Sequence, residues 1–209
     1  MKKIILTFIL ISLLILPTNI QAISSQHTNP TLVTSSLTKF INKTIQAIKI
    51  KITPQSKKNA YPTSMGQILV TPDFYKNLLP TGHTAIIINR NQVIEALSNG
   101  IVYGKNNWNA TKKKVYGLQV NNVSSNNMKK VINYIKKQVG KKYNYNFYDT
   151  KTRKKFYCSQ IIWAAFLDTL KINLDTKLLG YATGKNYAIV HPIELVLSNK
   201  TKVVYYHAK

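Results

Sequence analysis

Negative charge is what this chain most conspicuously lacks. Only six acids, Asp73, Glu95, Asp149, Asp168, Asp175 and Glu194, stand against 30 lysines and arginines, a formal charge of +24. They form no cluster with metal-ligand spacing, and no Cys/His tract suggests zinc. Cysteine is scarcer still: Cys158 is the only one, which excludes an intramolecular disulfide. No glycine-rich phosphate loop and no internal repeat is present. The chemistry of the chain therefore rests on few residues, and each one is informative.

The first residues, Met1-Lys2-Lys3, precede an apolar run from Ile4 to Leu16 that Pro17 ends. With the small residue Ala22 shortly after, residues 1–22 read as a secretory signal peptide. The run is shorter than the ~20 residues of a spanning helix, although an uncleaved anchor is the alternative. No cysteine follows it to carry a lipid. What remains after removal suits one domain with its own core. An excess of positive charge seeks polyanions. In an exported protein an anionic wall polymer or a membrane surface fits better than nucleic acid. Solubility alone is the competing explanation. The oligomeric state is left open.

Residues 23–62 read as an N-terminal helix and linker. Leu37, Phe40, Ile41, Ile45 and Ile48 recur at helical spacing, which predicts an amphipathic helix over about 36–50. Pro54 to Pro62 is a lysine- and proline-bearing linker. Residues 63–209 form the main domain. Strands are expected at Gln67 to Thr71, His83 to Asn89, Val93 to Leu97, Ile101 to Tyr103, Lys114 to Val120 and Lys202 to Tyr206. Helices are expected from about Asn126 to Val139, capped by Ser124 or Ser125, from about Tyr157 to Leu170, and over Pro192 to Leu197. Strands in a meander with flanking helices make an α+β domain.

Cys158 opens the apolar helix of that series, where free N–H groups and the dipole favour a thiolate. Such a nucleophile needs a base, and the base an orienting partner. His83 begins a buried strand, and Glu95 lies on the returning one. If the turn centres on Arg90 and Asn91, His83 faces residues near 97 to 99, with Glu95 one diagonal step away. Residues 83 and 95 also share parity and hence a sheet face. Each residue has a plainer reading: Cys158 as a small core residue, His83 as a satisfied loop histidine, Glu95 as a lysine's partner.

Taken together, Gly82-His83-Thr84-Ala85-Ile86, Val93-Ile94-Glu95-Ala96, Gly140-Lys141-Lys142-Tyr143 and Tyr157-Cys158-Ser159-Gln160-Ile161-Ile162-Trp163 resemble the permuted papain-like hydrolases of the YiiX/YaeF type. These are relatives of the NlpC-type cell-wall peptidases. Gly66-Gln67-Ile68-Leu69 is similar to that branch's opening strand, with Gln67 where an aspartate is usual. Pro192-Ile193-Glu194-Leu195 is similar to its closing segment. The resemblance implies a circularly permuted papain-like fold, an antiparallel sheet packed against helices, with the histidine strand before the cysteine helix. It implies Cys158 as nucleophile, His83 as base and Glu95 as the orienting group, with Tyr143 or Tyr157 as an oxyanion or substrate-contacting phenol. Tyr157 stands where the unpermuted peptidases carry an aspartate, so their substrate recognition does not transfer. The implied activity is a cofactor-independent cysteine hydrolase cleaving an amide bond, with a cell-wall peptide as expected substrate. The same fold also serves lipid-directed acyltransferases or thioesterases, and a non-catalytic surface-binding protein is the third reading. His191 is expected to be structural.

Overall fold

The structure, a computed structural model, describes residues 60–72, 82–177 and 189–209. The expected signal peptide, the amphipathic stretch 36–50 and nearly all of the linker lie outside the described residues.

Eight strands and four helices follow one another along the described chain. They are β1 (Ile68–Thr71), β2 (His83–Asn89), β3 (Gln92–Leu97), β4 (Gly100–Lys105), α1 (Trp108–Thr111), β5 (Lys114–Val120), α2 (Ser125–Lys136), β6 (Lys142–Tyr143), β7 (Lys155–Phe156), α3 (Cys158–Leu170), α4 (Pro192–Leu197) and β8 (Thr201–Ala208). Six of the strands form one sheet in the order β4-β3-β2-β1-β5-β8, and every neighbouring pair is antiparallel. The two-residue β6 and β7 pair in parallel beside it. This is the expected α+β arrangement. α1, β6 and β7 had no strong pattern in the sequence, being too short to show one.

The β-branched run of β2 is buried up to its last residue, as a central strand requires. The β2–β3 hairpin turns at Asn89 to Gln92, where Asn91 N–H donates to Asn89 Oδ1 and the Asn89 amide donates to Gln92 Oε1. Its register sets Ala85 opposite Glu95 and Ile87 opposite Val93, with a bulge before Asn89. Alternation then sorts the sheet into two faces. Ile68, Val70, Ile86, Ile94 and Leu118 pack with Val131, Ile135, Ile161, Ile162 and Phe166 of α2 and α3. Leu69, Ala85, Ile87, Val93 and Val115 pack with Trp108 and, partly buried, Tyr61 and Tyr205. Tyr61 and Pro62, at the end of the expected linker, thus close onto the domain: the Tyr61 hydroxyl donates to Asn106 and Pro62 lies against Gly117.

Helix α2 is capped by Ser124, whose hydroxyl accepts from Asn127 N–H. It ends at Lys136, short of the expected Val139, because the last turn tightens into bonds from Gln138 N–H to Ile135 O and from Val139 N–H to Lys136 O. Helix α3 is apolar nearly all round, and its first nine residues are buried except Trp163. It packs on β2 and β3, and α2 packs on it. The first residue of α3, Cys158, is brought in this way to the start of β2.

Candidate active site

Helix α3 starts where a network of buried amides holds it. Its N-cap is Tyr157, in extended conformation, and the Tyr157 N–H donates to the side-chain Oε1 of Gln160. That same oxygen accepts from the Asn144 amide, and Gln160 Nε2 donates to the carbonyl of Asp149. Asn144 and Gln160 are fully buried, so their bonds replace those that water would make. On the other side, the Ser159 hydroxyl donates to Val190 O, and Val190 N–H donates to the Tyr157 hydroxyl. The chain before His191 is thereby tied to the first turn of α3. Arg153 closes the same loop region from outside, with a forked pair to Asp168 on α3 and Nη1 donating to the carbonyls of Thr150, Lys151 and Thr152. Tyr134 of α2 donates to Asp168 as well.

Cys158 is only 1% exposed. Its sulfur is hydrogen-bonded to His83 and to the backbone N–H groups of Thr84 and Ser159. Burial by itself pushes the thiol up, but the His83 hydrogen bond and charge, with the two N–H donors, hold it below the usual thiol range. His83 Nε2 lies 2.7 Å from Glu95 Oε2, leaving Nδ1 as the nitrogen for the thiol. Burial pushes the imidazole down, yet the hydrogen bonds to Cys158 and Glu95 prevail and raise it to about 9. Both shifts favour a thiolate beside an imidazolium.

The three sequence-predicted catalytic residues are thus together. The diagonal offset expected for His83 and Glu95 is the observed one, since Glu95 stands opposite Ala85 and not opposite His83. The two phenols differ. Tyr157 is wholly buried, and its oxygen is engaged by Val190 N–H. Tyr143 is buried in a group of rings with Tyr145 and Phe147, yet among the described residues its hydroxyl has no hydrogen-bond partner. Burial raises the Tyr143 phenol strongly, and the charge of Cys158 adds to it, so the hydroxyl keeps its proton and lies within the field of the thiol. His191 is the N-cap of α4, where its N–H donates to Glu194, and burial lowers its imidazole to about 4. The residue is half-buried and takes a neutral capping place at the start of α4.

Three supporting residues were not singled out from the sequence. Trp108 stacks on the His83 ring at 5.4 Å between centroids and 24° between planes, supporting one face of the imidazole while Glu95 holds its Nε2. Nothing in its local sequence marks it. Gly104 on β4 leaves room for the Glu95 carboxylate, because a Cβ there would collide with Glu95 Oε1. A lone glycine inside a strand is a sign of such close approach. Gln160, polar within an apolar helix, is the third; its burial demanded partners that the sequence did not name.

The family model described as permuted papain-like amidase enzyme, YaeF/YiiX, C92 family, matches residues 77–205. The chain belongs to this family. Its resemblance, read from the segments around His83, Glu95 and Cys158, is borne out. The structure reported for metalloprotein YiiX of Escherichia coli O157:H7 is similar with a TM-score of 0.54 and 19% identity, covering 72% of this chain and 100% of that one. That likeness is one of fold. A comparison with curated proteins finds no match. The permuted papain-like amidase fold accounts for the order seen here, with the histidine strand β2 preceding the cysteine helix α3, and for the antiparallel sheet packed against helices. Membership makes the chain a papain-like cysteine hydrolase of amide bonds.

Proposed function

We propose that this amidase is exported and cleaves an amide bond in a cell-wall peptide, with Cys158 as nucleophile, His83 as base and acid, and Glu95 as orienting carboxylate. One observation carries the catalytic part: His83 is held by Glu95 at 2.7 Å through Nε2 and hydrogen-bonded to Cys158. The Cys158 proton passes to His83, and the thiolate sulfur forms a bond to the carbonyl carbon. The imidazolium returns the proton to the amide nitrogen as the C–N bond breaks and the amine leaves. Water, giving a proton to His83, then attacks the thioester, and the acid departs as the thiol is restored. The Cys158 N–H at the start of α3 and the unpartnered Tyr143 hydroxyl stabilise the oxyanion. Tyr157 accepts from Val190 N–H and keeps its own proton to donate, so it stands as the other candidate phenol for that role.

Export rests on Met1-Lys2-Lys3, the apolar run to Leu16 and Ala22. The excess of positive charge supports an anionic polymer or membrane surface as neighbour. YiiX of Escherichia coli is described as a metalloprotein. Among the described residues here no group of three or more His, Cys, Asp or Glu side chains is placed to hold a metal ion, and no metal step is assigned.

The test is digestion of purified wall muropeptides with mass spectrometry of the products. The wild type generates a new amine and acid terminus, and Cys158→Ala generates neither. Cleavage that survives in Cys158→Ala overturns the mechanism. Release of fatty acid from a lipid substrate, with muropeptides untouched, moves the substrate to lipid.

A further inference from the structure

Helix α2 presents two contrasting sides. Val131, Ile132 and Ile135 are buried in the core, while Asn126, Lys129, Lys130, Asn133, Lys136 and Lys137 are exposed. At 3.6 residues per turn these six fall within an arc about 120° wide. The lysine pairs 129/130 and 136/137 lie two turns apart, roughly 10 Å along the axis. Two of the lysines have an ordinary explanation, since Lys136 and Lys137 complement the negative end of the helix dipole. Lys129 and Lys130 have none. They sit toward the positive end, and the helix has no acid that could pair with them at three or four residues' distance.

The described acids are occupied elsewhere. Glu95 pairs with His83, and Asp168 pairs with Arg153. Glu194 is buried. Asp149 and Asp175 accept N–H groups from Thr152 and Lys177. No ion pair involves the four lysines among the described residues. Helix α2 and its cap thus carry a regular cationic stripe that no acid compensates among the described residues.

We propose that this face of α2 is a docking surface for a linear, flexible phosphodiester polymer of the cell wall, a proposal whose choice of polymer rests on the export proposed above. The stripe has the chemistry for phosphates and little else. It carries no arginine or aromatic side chain with which to read or stack on bases. A helix that lies on a bilayer needs large apolar residues to insert. The exposed large hydrophobics among the described residues are Met65, Tyr103, Tyr145 and Tyr148, and none is on α2. A chain of phosphodiesters draped along the lysine pairs and hydrogen-bonded at Asn133 uses five of the six exposed side chains of the stripe, all but Asn126.

The test measures binding of the full-length protein without its signal peptide to labelled, lipid-free poly(glycerol phosphate) across salt concentration. Lys129, Lys130, Lys136 and Lys137 are changed to glutamine together. A control of equal charge changes Lys105, Lys151, Lys154 and Lys200, which are also exposed. Counterion release predicts that losing four phosphate contacts lowers the slope of log affinity against log salt by about three. The α2 variant is expected to show that loss, with affinity reduced about tenfold or more near physiological salt, and the control less than half of it. Equal losses in both variants overturn the proposal, as does wild-type binding by the α2 variant. Binding to phosphatidylglycerol vesicles that needs the α2 lysines, with none to the polymer, overturns it in favour of a membrane. Hydrolysis of a small soluble amide substrate stays unchanged in both variants, so the result is independent of the catalytic reading.

Discussion

His83 is the residue on which the chemistry turns, because two partners compete to set its charge against burial. The sign of the pH dependence follows directly. The thiolate forms as pH rises past the lowered Cys158, and the imidazolium is lost as pH rises through about 9. A plot of kcat/KM against pH should be a bell, its acid limb below the ordinary thiol range and its alkaline limb near 9. Glu95→Gln keeps an acceptor for His83 Nε2–H but removes the negative charge that helps hold His83 up. It should move the alkaline limb to lower pH and reduce kcat/KM by about 10²-fold or more. An alkaline limb that stays in place would show that Glu95 does not act on the imidazole. Tyr143 offers a test with opposite signs. Tyr143→Phe deletes a buried hydroxyl that has no partner, so thermal stability should hold or rise by up to about 1–3 kcal/mol. If that hydroxyl serves the oxyanion, kcat should fall about 10²-fold with KM little changed. Intact kcat would return Tyr143 to a purely structural place.

The elements act as rulers for these residues. The β2–β3 hairpin puts imidazole and carboxylate on one face, and α3 delivers the thiol. Gly104→Ala on β4 should push the Glu95 carboxylate aside, so its pH profile should resemble that of Glu95→Gln while the fold persists. A profile matching the wild type would mean the carboxylate accommodates the added methyl group. Gln160→Met should strand the buried Tyr157 N–H and leave the Asn144 amide and the Asp149 carbonyl only their bond to each other. The expected cost is about 3 kcal/mol in a denaturant titration, together with a rise in the thiolate-forming pH of Cys158 as the first turn of α3 loosens. Destabilisation without that rise would confine Gln160 to folding. Much of this frame was legible in the chain itself. The β-branched apolar run of 83–89, the Asn-rich turn and the shared parity of 83 and 95 are local patterns with local causes. The helices at 125–136 and 158–170 showed themselves by apolar spacing and by Ser124. What stayed hidden depends on contacts between distant segments. Trp108 reaches His83 across the sheet, Asn144 meets Gln160 across a loop, and Tyr157 is claimed by Val190 far along the chain. No periodicity encodes such pairings.

At the scale of the whole molecule, charge of one sign prevails. A net +24 repels itself in the compact state, and salt screens that repulsion within about 10 Å at 0.1 M. The midpoint of thermal unfolding should therefore rise as sodium chloride is added over the first few tenths molar, and a flat or falling midpoint would show the charges to be spaced widely enough not to interact. The same molecule isolates a single thiol in a dry junction of helix and sheet, with a histidine from a distant strand beside it. The state of that thiol tests the account most directly. Alkylation of Cys158 by iodoacetamide, followed across pH in the wild type and in His83→Ala, should give a midpoint clearly below the ordinary thiol value of ~8.5 in the wild type and a higher one in the variant. A midpoint at or above that value, indifferent to His83, would make Cys158 a core residue and contradict the account.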